Sequence, residues 1–161
     1  MENKLLFTSY GSRGLIIKFE KPSISQIEIL TRSFFRDYIA SFFKNKILDL
    51  VLTSDCLTIF FKQPPNINSI KKNLLSAYDI TLSKTVDFEY KHWEIPVCFE
   101  NIFSSDLMEY FNDDELKTQS YIKRICELEM IVQFFGFLPG FCYLIGLPKS
   151  MQFKRKAEPN L

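Results

Sequence analysis

Gly136-Phe137-Leu138-Pro139-Gly140-Phe141-Cys142-Tyr143-Leu144, followed closely by Gly146-Leu147-Pro148, gathers three of the chain's five glycines into one apolar segment. Glycine loses more backbone entropy on folding than any other residue. Its clustering beside Phe, Leu and Tyr therefore marks a main chain that turns sharply or comes close to something. Pro139-Gly140 supplies the turn: proline pre-sets φ at the second position of a type II turn, and glycine accepts the positive φ needed next. The segment reads as strand, turn, strand, fed by an apolar strand from Glu129 to Phe135.

The rest of the chain is consistent with a folded domain or two small ones. Its 161 residues are 47% hydrophobic, which excludes a disordered chain. A net charge of +1, with acids and bases interspersed, provides no large single-sign field for nucleic acid or anionic lipid. The run Lys154-Arg155-Lys156 reads as a solvated basic tail. After Met1-Glu2-Asn3-Lys4 only Leu5, Leu6 and Phe7 precede polar residues, so no cleavable leader is expected. No apolar run reaches the roughly 20 residues of a spanning helix, and the expected location is the cytoplasm, away from membranes. Cys56, Cys98, Cys126 and Cys142 are widely spaced among apolar neighbours with no C-x-x-C pair, which predicts buried reduced thiols and no metal site. His92, the one histidine, carries no local signature of a nucleophilic pair.

Upstream, Leu5–Ser9 and Leu15–Phe19 flank Gly11-Ser12-Arg13-Gly14 as a hairpin. Ser23 with Gln26 is a capping-box pattern behind Pro22. Ile27, Leu30, Phe34 and Tyr38 then recur at helical spacing to about Phe43, and Phe35, Ile39 and Phe42 widen the stripe. Ile47–Leu52 and Leu57–Phe61 form a second strand pair around Thr53-Ser54-Asp55. Asn68 is placed to cap a helix from Ser69 to about Tyr78, with Ile70, Leu74 and Ala77 on its apolar face. This order predicts an α+β domain over 1–84, a small antiparallel sheet with both helices on one face.

In the second half, Val86–Tyr90 and Ile95–Phe99 read as strands, the latter at an edge because of Pro96. Ser104 or Ser105 caps a helix from Asp106 to Phe111. Asn112 opens another with Asp113, Asp114 and Glu115 in its first turn and Lys123-Arg124 at its end, as the helix macrodipole favours.

These residues carry a resemblance. Ile95-Pro96-Val97-Cys98-Phe99, then Ser105-Asp106-Leu107, then Phe135 through Pro148 resemble the family of the 5-oxoprolinase B subunit, which also includes the kinase inhibitor KipI and the first subunit of allophanate hydrolase. The resemblance implies that 85–161 is part of a cyclophilin-like β-barrel domain of the carboxyltransferase type. It further implies a non-autonomous subunit that works with the A and C subunits of a 5-oxoprolinase in ATP-dependent opening of 5-oxoproline to L-glutamate. A KipI-like role would instead make the partner a sensor histidine kinase. ATP enters at the level of the complex, and no metal ligand set is expected in this chain. Members carry Gly-Pro-Asp-Leu where this chain has Ser104-Ser105-Asp106-Leu107, and a histidine where Ile125 stands. Their Pro-Arg pairs fall at Lys154-Arg155 and Pro159-Asn160. Members also continue past the position of Leu161, so an incomplete barrel is expected over 85–161.

The substrate- or partner-binding residues implied are Gly136, Phe137, Pro139, Gly140, Tyr143 and, as the one basic group carried over, Arg155. Two roles stay open for the glycine segment. Its turn N–H groups, at Gly136 and Gly140, suit a phosphate or developing oxyanion. Equally, its glycines suit a tight barrel corner, with Phe137, Leu138, Phe141 and Leu144 filling an interior or facing a partner protein. No catalytic residue is identified, because the segment's only polar-tipped side chain is Tyr143.

Overall fold

The computed structural model describes residues 5–83, 91–100 and 102–154. The chain divides into two compact units, Met1–Asp87 with Ile131–Ile145, and Phe88–Met130 with Gly146–Leu161.

The first unit runs β1 (Leu6–Tyr10), β2 (Gly14–Lys18), α1 (Gln26–Phe42), β3 (Ile47–Leu52), β4 (Cys56–Phe61) and α2 (Ile67–Ser83), the predicted order. The four strands form one antiparallel sheet in the order β1-β2-β4-β3. Period-2 alternation sends Leu15 and Ile17 of β2, and Leu57, Ile59 and Phe61 of β4, to one face, where they are buried with Phe35 and Ile39 of α1 and Leu74 and Ala77 of α2. The opposite face carries Leu6, Tyr10 and Val51 in solvent.

Helix α1 starts two residues later than the Ser23/Gln26 pattern predicts. Ser25 is the N-cap: its Oγ accepts from the Glu28 N–H, and Glu28 reaches back to the Ser25 N–H, a complete capping box. Ser23 is buried instead, its N–H donating to the Ser54 carbonyl at 2.7 Å. The apolar stripe is also rotated. Arg32, Phe35 and Ile39 face the sheet, whereas Ile27 is 76% exposed, Phe42 lies more than half in solvent and Tyr38 is partly exposed. Helix α2 is capped from Asn66 rather than Asn68, Asn66 Oδ1 accepting from the Ser69 N–H at 3.2 Å, and it runs on to Ser83.

The Glu28 carboxylate accepts from the N–H of Ile24 at 2.9 Å and pairs with Lys21 Nζ at 3.0 Å. Its pKa is held down to about 2, chiefly by the Ile24 N–H, with Lys21 and Ser25 adding and partial burial opposing. A lowered folded-state pKa contributes stability that is present above the ordinary carboxylate value and is lost as pH falls through the folded one. Glu28→Ala is therefore expected to cost about 1 kcal/mol at neutral pH, the scale of a partly exposed cap. In urea melts the gap from the parent should close as pH approaches 2; a gap independent of pH would refute the assignment.

Also in the first unit, β5 (Ile131–Phe135) and β6 (Cys142–Ile145) pair antiparallel as a separate two-stranded sheet. No closed barrel forms among the described residues.

The second unit contains α3 (Ser105–Tyr110), α4 (Glu115–Cys126) and a 3₁₀ turn (Lys149–Met151). Asp114, not Asn112, caps α4, accepting from the Lys117 N–H at 3.1 Å. Asn112 and Asp113 form the connection, with φ of 54° and 59°, a left-handed conformation these two residue types tolerate best after glycine. A cluster of Tyr110, Phe111, Tyr121 and Phe153 rings packs here, and the Tyr121 hydroxyl donates to the Met151 carbonyl at 3.1 Å. The expected strand Ile95–Phe99 is not formed. Its proline lacks a ladder donor, and Ile95 and Val97 are exposed with no pairing strand among the described residues. The other expected strand, Val86–Tyr90, lies outside the described residues.

Candidate functional site: an aromatic hairpin

The Gly136–Leu144 segment forms the tip and returning strand of the β5–β6 hairpin. Its loop is two turns in series. The Leu138 N–H donates to the Gly136 carbonyl at 2.9 Å, a γ-turn about Phe137, whose φ is +68°. The Phe141 N–H then donates to the Leu138 carbonyl at 3.0 Å, with Pro139-Gly140 at the centre and Gly140 at φ +80°, the predicted type II geometry. The Gly136 N–H closes the loop onto the Phe141 carbonyl at 3.1 Å. Of the two N–H groups considered for anion binding, Gly136's is therefore committed inside the loop, and Gly140's has no acceptor among the described residues.

A bulge between Val132 and Phe134 shifts the β5–β6 register and sets Phe134 opposite Tyr143. Their rings stack with centroids 4.3 Å apart and planes 12° apart. Phe141 meets Tyr143 edge-on at 5.2 Å, and Phe137 meets Phe141 edge-on at 5.8 Å. Four rings thus run along one side of the hairpin to its tip, each pair contributing about 0.5–1.5 kcal/mol beyond burial. They do not fill an interior: Phe137 is 81% exposed, and Leu138, Phe141 and Leu144 are also in solvent.

The bulge residue, Gln133, fastens the hairpin within its unit. Its Nε2 donates to the Ser23 carbonyl. Ser23 in turn donates to the Ser54 carbonyl, which also accepts from Arg32 Nη1, while Arg32 Nη2 donates to the Lys21 carbonyl at 2.6 Å. Arg32 is only 5% exposed and lies 4.2 Å over the Phe19 ring; burial pushes its pKa down and that of neighbouring Tyr78 up. Neither Gln133 nor Arg32 was among the candidates from sequence. The available signal was a polar residue in phase with an apolar pattern: Arg32 three residues before Phe35, and Gln133 inside the run Ile131-Val132-Gln133-Phe134.

The other expected groups are dispersed. Arg155 lies outside the described residues. Ser105-Asp106-Leu107 opens α3, and Ile125 is in the last turn of α4. The four cysteines are free but not buried: Cys98 and Cys126 are exposed, and Cys56 and Cys142 half-buried, because they fall on positions turned from the cores. Among the described residues no group of three His, Cys, Asp or Glu side chains could hold a metal, and no helix is long and apolar enough to cross a membrane.

With this geometry in hand, similarity to known proteins decides the family. The family model for the carboxyltransferase domain, subdomain C and D, matches residues 5–161. The chain belongs to this family. Its relatives include the 5-oxoprolinase B subunit of Escherichia coli O157:H7, 33% identical over 79 residues, which cover 49% of this chain and 36% of that protein. The Bacillus subtilis (strain 168) protein of the same name is 36% identical over 67 residues, 42% of this chain and 28% of that protein. That of Haemophilus influenzae Rd is 28% identical over 114 residues, 71% of this chain and 53% of that protein. The match thus spans about half or less of each relative. The resemblance drawn from Phe135–Pro148 holds at the level of the carboxyltransferase-domain family.

Two of the segment's glycines make opposite predictions. Gly146 sits at φ +116°, and a Cβ there would lie 3.2 Å from the Glu129 carbonyl oxygen. A Cβ at Gly136 would make only ordinary contact, 3.6 Å from the Phe134 ring and 3.7 Å from that of Tyr143. Gly146→Ala should cost about 1–3 kcal/mol and Gly136→Ala less than about 1 kcal/mol in thermal melts. Equal costs would mean that neither the positive φ nor the close carbonyl sets Gly146 apart.

Proposed function

We propose that this chain is a component of an ATP-dependent 5-oxoprolinase, in the place of its B subunit, acting with proteins of the A and C types to convert 5-oxoproline to L-glutamate. The observation that carries this reading is the family match over residues 5–161 together with the shared name of the relatives. In this reading 1–84 is the N-terminal α+β domain and 85–161 belongs to a cyclophilin-like domain. Opening a lactam needs its carbonyl made a better electrophile, and phosphorylation of the carbonyl oxygen accomplishes that before water attacks.

The hairpin's own chemistry argues for contact rather than catalysis. Residues 136–144 contain no acidic or basic side chain, and the loop N–H groups without an acceptor among the described residues, at Phe137 and Gly140, are too few to hold a triphosphate. The nucleotide is therefore assigned to the complex and not to this hairpin. Gly136, Pro139 and Gly140 shape the tip; Phe137 and Tyr143 present rings to a partner protein; Arg155 is assigned a cationic contact to the same complex.

The test is reconstitution. Cognate A and C proteins are mixed with 5-oxoproline and ATP, and glutamate is measured with and without this chain; no gain over A and C alone refutes the reading. The exposed apolar tip also suits a KipI-like grip on a histidine kinase, and inhibition of kinase autophosphorylation without any gain in glutamate would select that role.

A further inference from the structure

A cavity of about 240 Å³ opens in the first unit, away from the hairpin rings, between Phe19, Arg32 and Tyr78 at its floor and Leu5, Ile27 and Leu82 along its walls. It has room for about eight waters, or for a ligand of roughly ten non-hydrogen atoms. What marks it out is the charge at its floor. Arg32 is buried and, among the described residues, has no carboxylate within ion-pair distance. Its five N–H donors face two backbone carbonyls and the Tyr78 oxygen. Its burial is offset in part by the attraction of the Glu28 and Asp55 carboxylates from beyond contact distance, and its three named acceptors are fewer than its five N–H donors.

No carboxylate lining the cavity makes a contact ion pair with Arg32 among the described residues. Glu28 is neutralised by Lys21 at 3.0 Å and by the N–H groups of Ile24 and Ser25. Glu20 is an exposed residue among the lining groups, and the Thr31 hydroxyl is spent on the Ile27 carbonyl at 2.7 Å. A planar guanidinium fork at an apolar-walled floor matches a carboxylate better than a spherical anion.

We propose that this cavity binds a small organic carboxylate, its anionic end on the Arg32 guanidinium and its apolar body against Leu5, Ile27 and Leu82. The site is independent of the proposed oxoprolinase role and of the hairpin tip.

Benzoate serves as the probe and benzamide as its neutral isostere, titrated into the full chain by calorimetry and thermal melts. Benzoate should bind saturably and at least about tenfold more tightly than benzamide. Arg32→Lys, which keeps the charge but loses the fork, should weaken benzoate. Because Arg32 also ties Ser54 and Lys21, that variant can fail to fold, so Ile27→Trp provides the second arm. Ile27 is exposed and lines the cavity, so its replacement should block benzoate about tenfold or more while leaving the unliganded melt unchanged. Three outcomes overturn the proposal: no saturable binding up to about 100 mM, equal affinity for benzoate and benzamide, or unchanged benzoate affinity in Ile27→Trp.

Discussion

Phe35→Ala is expected to remove about 3–5 kcal/mol from the first unit, most of the stability a small domain possesses. Phe35 is fully buried and holds a three-ring cluster together. Its centroid lies 5.0 Å from that of Tyr78 and 6.4 Å from that of Phe19, both edge-on, and Phe19 and Tyr78 are themselves 5.8 Å apart. Truncation leaves a void bounded by the sheet on one side and α2 on the other, which neither can close without breaking its own register. Phe19 also carries the Arg32 guanidinium on its face, so a shift of that ring weakens the links from Arg32 to Ser54 and Lys21. The paired control is Ile27→Ala. Simple helical spacing puts Ile27 on the buried stripe, but its exposure predicts a cost within about 0.5 kcal/mol. Urea melts of the two variants decide the phase of α1; similar costs would place the stripe wrongly.

That contrast illustrates what the sequence made legible. The order of the first six elements follows from alternation and turn residues, because β2 and β4 are central strands whose inward residues are uniformly Leu, Ile and Phe. Helix phase was harder. Aromatic and aliphatic residues surround α1, so periodicity alone admits more than one stripe, and the deciding residue is a buried arginine that hydropathy assigns to solvent. The two capping serines pose the same problem: Ser23-x-x-Gln26 and Ser25-x-x-Glu28 both satisfy the pattern, and the charged Glu28 with its Lys21 partner prevails.

The candidate site was legible as a turn and not as a surface. Pro139-Gly140 specifies its type II turn locally, whereas the stacking of Phe134 on Tyr143 depends on a bulge at Gln133, which the sequence marks only by a polar residue inside an apolar run. The strand expected at Ile95–Phe99 failed because alternation describes a segment's ability to pair without supplying a neighbour.

Phe137→Gly is expected to act in opposite directions on stability and on partner binding. Phe137 holds φ +68° at the centre of a γ-turn, a conformation costing a non-glycine residue about 1–2 kcal/mol. Its ring offsets little of this, being 81% exposed with a single edge contact to Phe141. Glycine relieves the strain but adds about 0.5–1 kcal/mol of backbone entropy to the unfolded chain. The variant should therefore melt at or slightly above the parent, by up to about 1 kcal/mol. Under the proposed function, the ring at this exposed, strained tip would be buried by a partner protein. Loss of such an anchor should weaken assembly of the complex about 30-fold or more, the scale of an aromatic hot spot. Phe137→Leu separates the two effects by keeping the strain and part of the apolar contact, so it should bind better than Phe137→Gly while melting lower. Affinity measured by calorimetry alongside thermal melts tests both signs. A Phe137→Gly variant that loses stability and binds its partner undiminished would remove the hairpin tip from the interface.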